Sequence, residues 1–93
     1  MVFYYIFYLN GLIEQTLRQT FASTKDYEFT NLIIPIAFSN NDTAEVFISA
    51  ISEGQNGFGS STYLLSSNTL KGKLYGIWND DRCTGMNLYA RGY

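Results

Sequence analysis

The chain has 93 residues, 46% of them hydrophobic and 15% charged, and its net charge is −2. We predict one domain, residues 1–93, which is too apolar to be disordered and too acidic for a duplex nucleic-acid partner. The chain has no histidine and one cysteine, Cys83, which we expect to be partly buried. This composition excludes an internal disulfide and a paired zinc motif, and it leaves out the usual catalytic bases. We therefore expect no cofactor, no metal and no enzymatic activity.

The apolar opening, residues 2–9, is predicted to be a strand. It is too short for a bilayer span, which takes ~20 apolar residues, and it lacks the basic start and the cleavage site of a signal peptide. We expect no membrane insertion. The alternative is that residues 1–9 are the end of a longer polypeptide.

The segment Leu12 to Phe21 fits two patterns, because Ile13, Leu17 and Phe21 share one face of either a helix or a strand. Thr16 and Thr20 favour a strand, and no capping box precedes the segment. We therefore predict a strand, followed by a turn at residues 22–26.

The apolar run from Tyr27 to Phe38 is the clearest strand signal, since Leu32, Ile34, Ile36 and Phe38 fall on one side of an extended chain. Pro35 has no N–H to donate, so this strand is expected at a sheet edge, a bulge or a subunit border.

The second half of the chain alternates short apolar runs with polar turns. After a turn at 40–42, residues 44–51 are apolar on both faces and predict an inner strand. Residues 52–61 predict a long flexible loop containing Phe58, and further strands are expected at 63–65, 70–78 and 86–91, separated by polar connections at 66–69 and 79–85. The whole pattern predicts an antiparallel β-sandwich of six or seven short strands.

The residues best suited to binding are Trp78 and the polar residues that follow it, Asn79, Asp80, Asp81 and Arg82. An indole stacks on the apolar face of a sugar ring, and amide, carboxylate and guanidinium groups pair with its hydroxyls. Asn56 and Phe58 are second candidates. The alternative is that Trp78 closes the core while Arg82 pairs with a nearby acid, and that Asp80 and Asp81 form a solvated turn.

Three words of the sequence resemble a family of bacteriophage tail-fibre C-terminal domains. Ile34-Pro35-Ile36-Ala37-Phe38-Ser39-Asn40 is similar to the Phe-Pro-Ile-Ala-Phe-Pro-Asn signature of that family. Upstream, Asn10-Gly11-Leu12-Ile13-Glu14-Gln15 resembles its Asn-Gly-Leu-Ile-Ile-Gln opening, and Leu88-Tyr89-Ala90-Arg91-Gly92-Tyr93 resembles its Trp-Ile-Ala-Ile-Gly-Tyr terminus. The departures, at Thr16, Leu17, Ile34, Ser39 and Leu88, fall mainly on packing positions.

The resemblance implies a lectin-like sandwich assembled as a homotrimer at the distal tip of a phage or prophage tail fibre, with residues 1–9 as a strand or the end of the fibre shaft. It implies non-covalent binding of a host cell-surface receptor, most simply a glycan, in a virion component made in the bacterial cytoplasm. The alternative is a structural trimerisation or capping module that does not bind the receptor itself.

Overall fold

The computed structural model describes residues 3–52 and 57–93, and they form an all-β fold of two antiparallel sheets. Seven strands follow one another along the chain: β1 (Phe3–Phe7), β2 (Ile13–Thr24), β3 (Asp26–Ile33), β4 (Glu45–Ile51), β5 (Phe58–Ser66), β6 (Thr69–Gly76) and β7 (Cys83–Gly92). One sheet has four strands in the order β1-β2-β7-β4, and the other has three in the order β3-β6-β5. The predicted all-β class and the antiparallel pairing are confirmed, and the described residues contain no α-helix.

The core lies between the two sheets and takes side chains from both. The four-stranded sheet contributes Ile13, Leu17, Ile48, Met86, Leu88 and Ala90, and the three-stranded sheet contributes Phe29, Leu32, Leu70 and Leu74. Each large side chain that is fully buried stabilises the fold by about 1.5–3 kcal/mol. Gly72 makes one close approach possible, because a Cβ at this position would collide with the ring of Phe29.

The first hairpin is closed by a tight connection between β1 and β2. Gly11 takes a positive φ of 92°, a conformation that favours glycine, and its N–H donates to the carbonyl of Tyr8. The Asn10 side chain accepts the N–H of Leu12. Strand β1, Phe3–Phe7, lies within residues 2–9, for which a strand was predicted.

The turn predicted at residues 22–26 is wrong in its bounds. Strand β2 continues to Thr24 and β3 begins at Asp26, so only Lys25 separates the two strands. The register of β2 against β7 shifts between Thr20 and Thr24. This irregularity lets β2 leave the four-stranded sheet and β3 enter the other one within two residues.

The central run forms a strand only as far as Ile33, so the prediction of a strand through Phe38 is wrong for its second half. The expected alternation still holds, because Leu32, Ile34 and Phe38 are buried. The N–H groups of Ile34 and Phe38 donate to the carbonyls of Asn68 and Ser67, in the turn between β5 and β6.

Gln15 supplies the hydrogen bonds that a neighbouring strand would otherwise give to Ile36. Its side chain is completely buried; Nε2 donates to the Ile36 carbonyl at 2.9 Å, and Oε1 accepts the Ile36 N–H at 3.0 Å. Pro35, which has no N–H, lies exposed beside this contact. The run therefore packs as an extended segment fixed by a side-chain amide.

The position of β4 and the bounds of β5, β6 and β7 also differ from the sequence prediction. Strand β4 is an edge strand rather than an inner one. Its inner face packs on the core, and its outer face carries the exposed Phe47. Residues 58–61, expected in a flexible loop, form the start of β5, while Glu53 to Asn56 lie outside the described residues. Strand β6 ends at Gly76, two residues earlier than expected, and β7 begins three residues earlier, at Cys83.

The C-terminal strand is held in the middle of the four-stranded sheet, between β2 and β4. Its last residue is fixed as well, since the Tyr93 N–H donates to Thr43 Oγ1 and the Tyr93 carbonyl accepts the Asn40 N–H. Residues 41–43 form the short 3-10 turn Asn41–Thr43, where a polar turn was predicted.

Candidate binding site

The predicted ligand-binding residues after β6 lie in a tight turn that Asp81 holds in place. The Asp81 N–H donates to the Trp78 carbonyl at 3.1 Å, and Asp81 Oδ2 accepts the Trp78 N–H at 2.8 Å. Asp81 is only 3% exposed. Its carboxylate is therefore occupied by the backbone, and it fixes the turn instead of facing solvent.

Arg82 closes the turn from the other side. Its Nη1 donates to the carbonyls of Asn79 and Asp81, at 2.9 and 2.7 Å. These charge-assisted contacts satisfy two carbonyls that the turn leaves outside any strand ladder. The guanidinium thus shapes the loop as well as adding positive charge to its surface.

The base of the turn is attached to two neighbouring segments. The Ile77 N–H donates to the carbonyl of Gly57, just before β5. Gly76 exchanges contacts with Lys25: its N–H donates to the Lys25 carbonyl, and its own carbonyl accepts the Lys25 ammonium at 2.7 Å. The turn is consequently attached to the start of β5 and to the connection between β2 and β3.

Trp78 projects from this turn with 67% of its surface exposed, so it does not close the core. Asn79 and Asp80 beside it are also exposed. Phe58 is half-buried and pairs with Gly76, which places it at the same end of the three-stranded sheet. Asn56 lies outside the described residues. The structure thus brings together an indole, an amide, a carboxylate and a guanidinium on one fixed turn.

A second concave surface, absent from the sequence prediction, lies on the outer face of the four-stranded sheet. We call it the aromatic groove; it has a volume of about 360 Å³. Tyr4, Phe47 and Tyr89 line it in one row across the strands, with the small Thr16 between Tyr4 and Tyr89. Because Thr16 is smaller than the tyrosines on either side of it, it leaves space between them, and this space forms part of the groove.

A polar row borders the aromatic groove on one side. Arg18, Asn87 and Ser49 lie next to each other across β2, β7 and β4. The binding residues predicted from the sequence did not include Tyr4, Phe47 or Tyr89. Alternation within each strand gives their parity, but only the register of three strand pairs places them in one row.

An ion-pair row borders the groove on its other side. Arg91 Nε lies 3.1 Å from Glu45 Oε2, with both side chains about half exposed.

Burial raises the pKa of the Tyr89 hydroxyl, and a hydrogen bond to Glu14 raises it further. The pKa of Tyr8 is raised mainly by its own hydrogen bond to Glu14. Both tyrosines therefore stay neutral donors near pH 7.

Potential metal ligands do not cluster among the described residues, and the Cys83 thiol is buried. Across residues 3–52 and 57–93, no three Cys, Asp or Glu side chains come together in a way that could hold a metal ion. Cys83 is a buried free thiol whose pKa is raised by burial, which makes it a poor nucleophile. Within the same ranges, no helix has the length and apolarity needed to cross a membrane.

Comparison of the chain with protein-family models, with curated proteins and with solved structures found no match.

Proposed function

We propose that this chain is the receptor-binding tip domain of a phage or prophage tail fibre, which binds a host cell-surface glycan without altering it covalently. The observation that carries the proposal is Trp78, an exposed indole on a turn fixed by Asp81 and Arg82. A rigid aromatic side chain loses little conformational entropy when a ligand stacks on it. The three sequence words that resemble those of tail-fibre tips support the biological setting.

The chemistry of the turn matches a saccharide. Trp78 offers an apolar face for a pyranose ring, and Asn79 and Asp80 offer exposed amide and carboxylate groups for its hydroxyls. The part of Arg82 that remains exposed adds a charged donor beside them. Asp81 positions Trp78, and Phe58 lies at the same end as a half-buried apolar neighbour.

The proposed assembly is a homotrimer in the virion, synthesised in the bacterial cytoplasm. Three shallow sites on one rigid tip raise the strength of attachment through avidity, although each site binds weakly. No step in this proposal requires catalysis, a cofactor or nucleic acid.

Binding of the purified full chain to a glycan array, followed by competition with phage particles for host cells, tests the proposal. We expect Trp78→Ala to weaken binding by about 2 kcal/mol per site, the cost typical of a central tryptophan, which is roughly 30-fold. The matched control is Tyr63→Ala. Tyr63 is an exposed aromatic residue like Trp78, but it lies in β5 of the three-stranded sheet and not on the turn. Equal binding by the wild type and Trp78→Ala would refute the site.

A second candidate function is structural: a trimerisation or capping module that ends a fibre shaft. The specific observation in its favour is the large exposed apolar surface of β1, which suits subunit contacts better than a soluble ligand. A wild-type trimer that binds no glycan and does not compete for host cells would favour this function over receptor binding.

A further inference from the structure

The first strand exposes apolar side chains on both of its faces. We define the β1 face as Tyr4, Tyr5, Ile6, Phe7 and Tyr8 together with Leu9. The five residues from Tyr4 to Tyr8 are 43 to 72% exposed, and only Phe3 of this strand packs against the core. Tyr5 and Phe7 share the parity of Phe3 and pair with the buried Gln15 and Ile13, yet they are 54% and 61% exposed.

The hydrogen-bonding edge of β1 is open as well. Among the described residues, β1 is the last strand of its sheet and pairs only with β2, so one side of its backbone has no strand partner there. Natural edge strands are usually protected by lysine, proline or a bulge. The sequence of β1, Phe-Tyr-Tyr-Ile-Phe, contains no charge and no proline, and its register with β2 is regular.

The outer face of the opposite sheet mixes charged and aromatic side chains. Glu28 of β3 pairs with Lys73 of β6, and Asp26 and Lys71 lie on the same face. Tyr75 on this face lies over Gly59 and covers it. Tyr63 of β5 is exposed on this face too, but it pairs with Lys71, whereas β1 itself has no charged residue among its exposed aromatic side chains.

We propose that a second copy of this chain covers the β1 face and the adjoining aromatic groove. At about 200 Å² per large side chain, the exposed parts of Tyr4 to Tyr8 amount to roughly 600 Å². Leu9 and the strand backbone add to this, which brings the surface close to the ~800 Å² per partner of a stable interface. The Glu45–Arg91 ion pair forms a polar rim beside it, as interfaces commonly have.

The number of copies rests on the proposed tail-fibre function, which implies three, whereas the position of the interface rests on β1 alone. The β1 edge and the β4 edge of the same sheet are different surfaces. If β1 of each copy meets the groove side of the next copy, the contact is heterologous, and a closed trimer forms when the rotation between neighbouring copies brings the third copy back to the first.

Light scattering coupled to size-exclusion chromatography of the full chain tests the proposal, with Phe7→Lys as the interface variant. The control is Tyr63→Lys, since Phe7 and Tyr63 are 61% and 60% exposed and both lie in strands. We expect the wild type and Tyr63→Lys to have three times the single-chain mass of 10.6 kDa. We expect Phe7→Lys to fall to one third of that mass.

Ile6→Lys, on the other face of the same strand, repeats the test independently, and circular dichroism verifies that each variant keeps its β-sheet content. Hydrogen exchange of the β1 amides adds a second readout: slow exchange in the assembly and fast exchange in Phe7→Lys support the interface. A monomeric wild type would overturn the proposal, as would an unchanged mass in both β1 variants or an equal loss in Tyr63→Lys. If the wild type forms a multimer through β1 but binds no glycan, this interface is supported and only the receptor-binding function is refuted.

Discussion

Replacing Gln15 with methionine tests how the segment after Ile33 is held in place. The substitution keeps the length of the side chain but removes both hydrogen bonds to Ile36, at 2.9 and 3.0 Å. The Ile36 N–H and carbonyl then lose their partners in a region where Gln15 itself is fully buried. An unsatisfied buried polar group costs about 1–3 kcal/mol.

Because Ile36 is only half-buried, water can reach part of this site, and the apolar methionine recovers some free energy. We therefore expect the free energy of unfolding to fall by about 2–4 kcal/mol. In a domain of this size, that corresponds to a drop in Tm of roughly 10–25 °C. Urea unfolding followed by circular dichroism, at one fixed protein concentration, measures the change.

Gln19→Met is the matched control, because Gln19 lies four residues further along the same strand. Within the described part of the chain, its Oε1 is buried and has no hydrogen-bond partner, so methionine removes an unsatisfied group. We expect this variant to be as stable as the wild type or slightly more stable. Equal destabilisation by both substitutions, or a loss below about 1 kcal/mol for Gln15→Met, would refute the role assigned to Gln15.

Two further predictions concern the binding turn and the buried thiol. Asp81→Ala removes the acceptor of the Trp78 N–H, a hydrogen bond to a charged group worth about 1.5–3 kcal/mol. Both the stability of the variant in urea and its glycan binding should therefore fall. If the variant bound glycan as the wild type does, the fixed turn would be contradicted. Burial raises the pKa of Cys83 above its ordinary value of 9.0, so its contribution to stability is complete below about pH 9 and is lost as pH rises through the folded-state pKa. Unfolding of the wild type and Cys83→Ala at pH 8 and pH 10 should show a smaller decline in the alanine variant, and equal declines would contradict this coupling.

Much of the fold could be predicted because the alternation of apolar and polar residues shows which side of each strand faces the core. Leu32, Ile34 and Phe38 are buried as their alternation predicts, and the polar residues between apolar runs mark most of the connections. What alternation cannot show is the identity of the hydrogen-bond partner. At Ile36 the partner is a side chain 21 positions away, so the expected strand is absent although the expected burial is present.

The composition of the predicted site was likewise readable from sequence, since Trp78 and its polar neighbours are adjacent in the chain. Their roles were decided by the tertiary structure. Burial of Asp81 directs its carboxylate to the Trp78 N–H, and the early end of β6 leaves Trp78 exposed on the turn. The turn is also held by contacts with Gly57, just before β5, and with Lys25, between β2 and β3.

The sequence by itself determined the all-β class, the antiparallel pairing and the inward side of most strands, because these follow from local periodicity and turn chemistry. Only the tertiary structure decided which strands lie at the edges of the sheets and which side chains meet across them. The aromatic groove brings Tyr4, Phe47 and Tyr89 together from three strands. The physical reason is that strand order and register arise from long-range packing of two sheets on one core, which no single segment encodes.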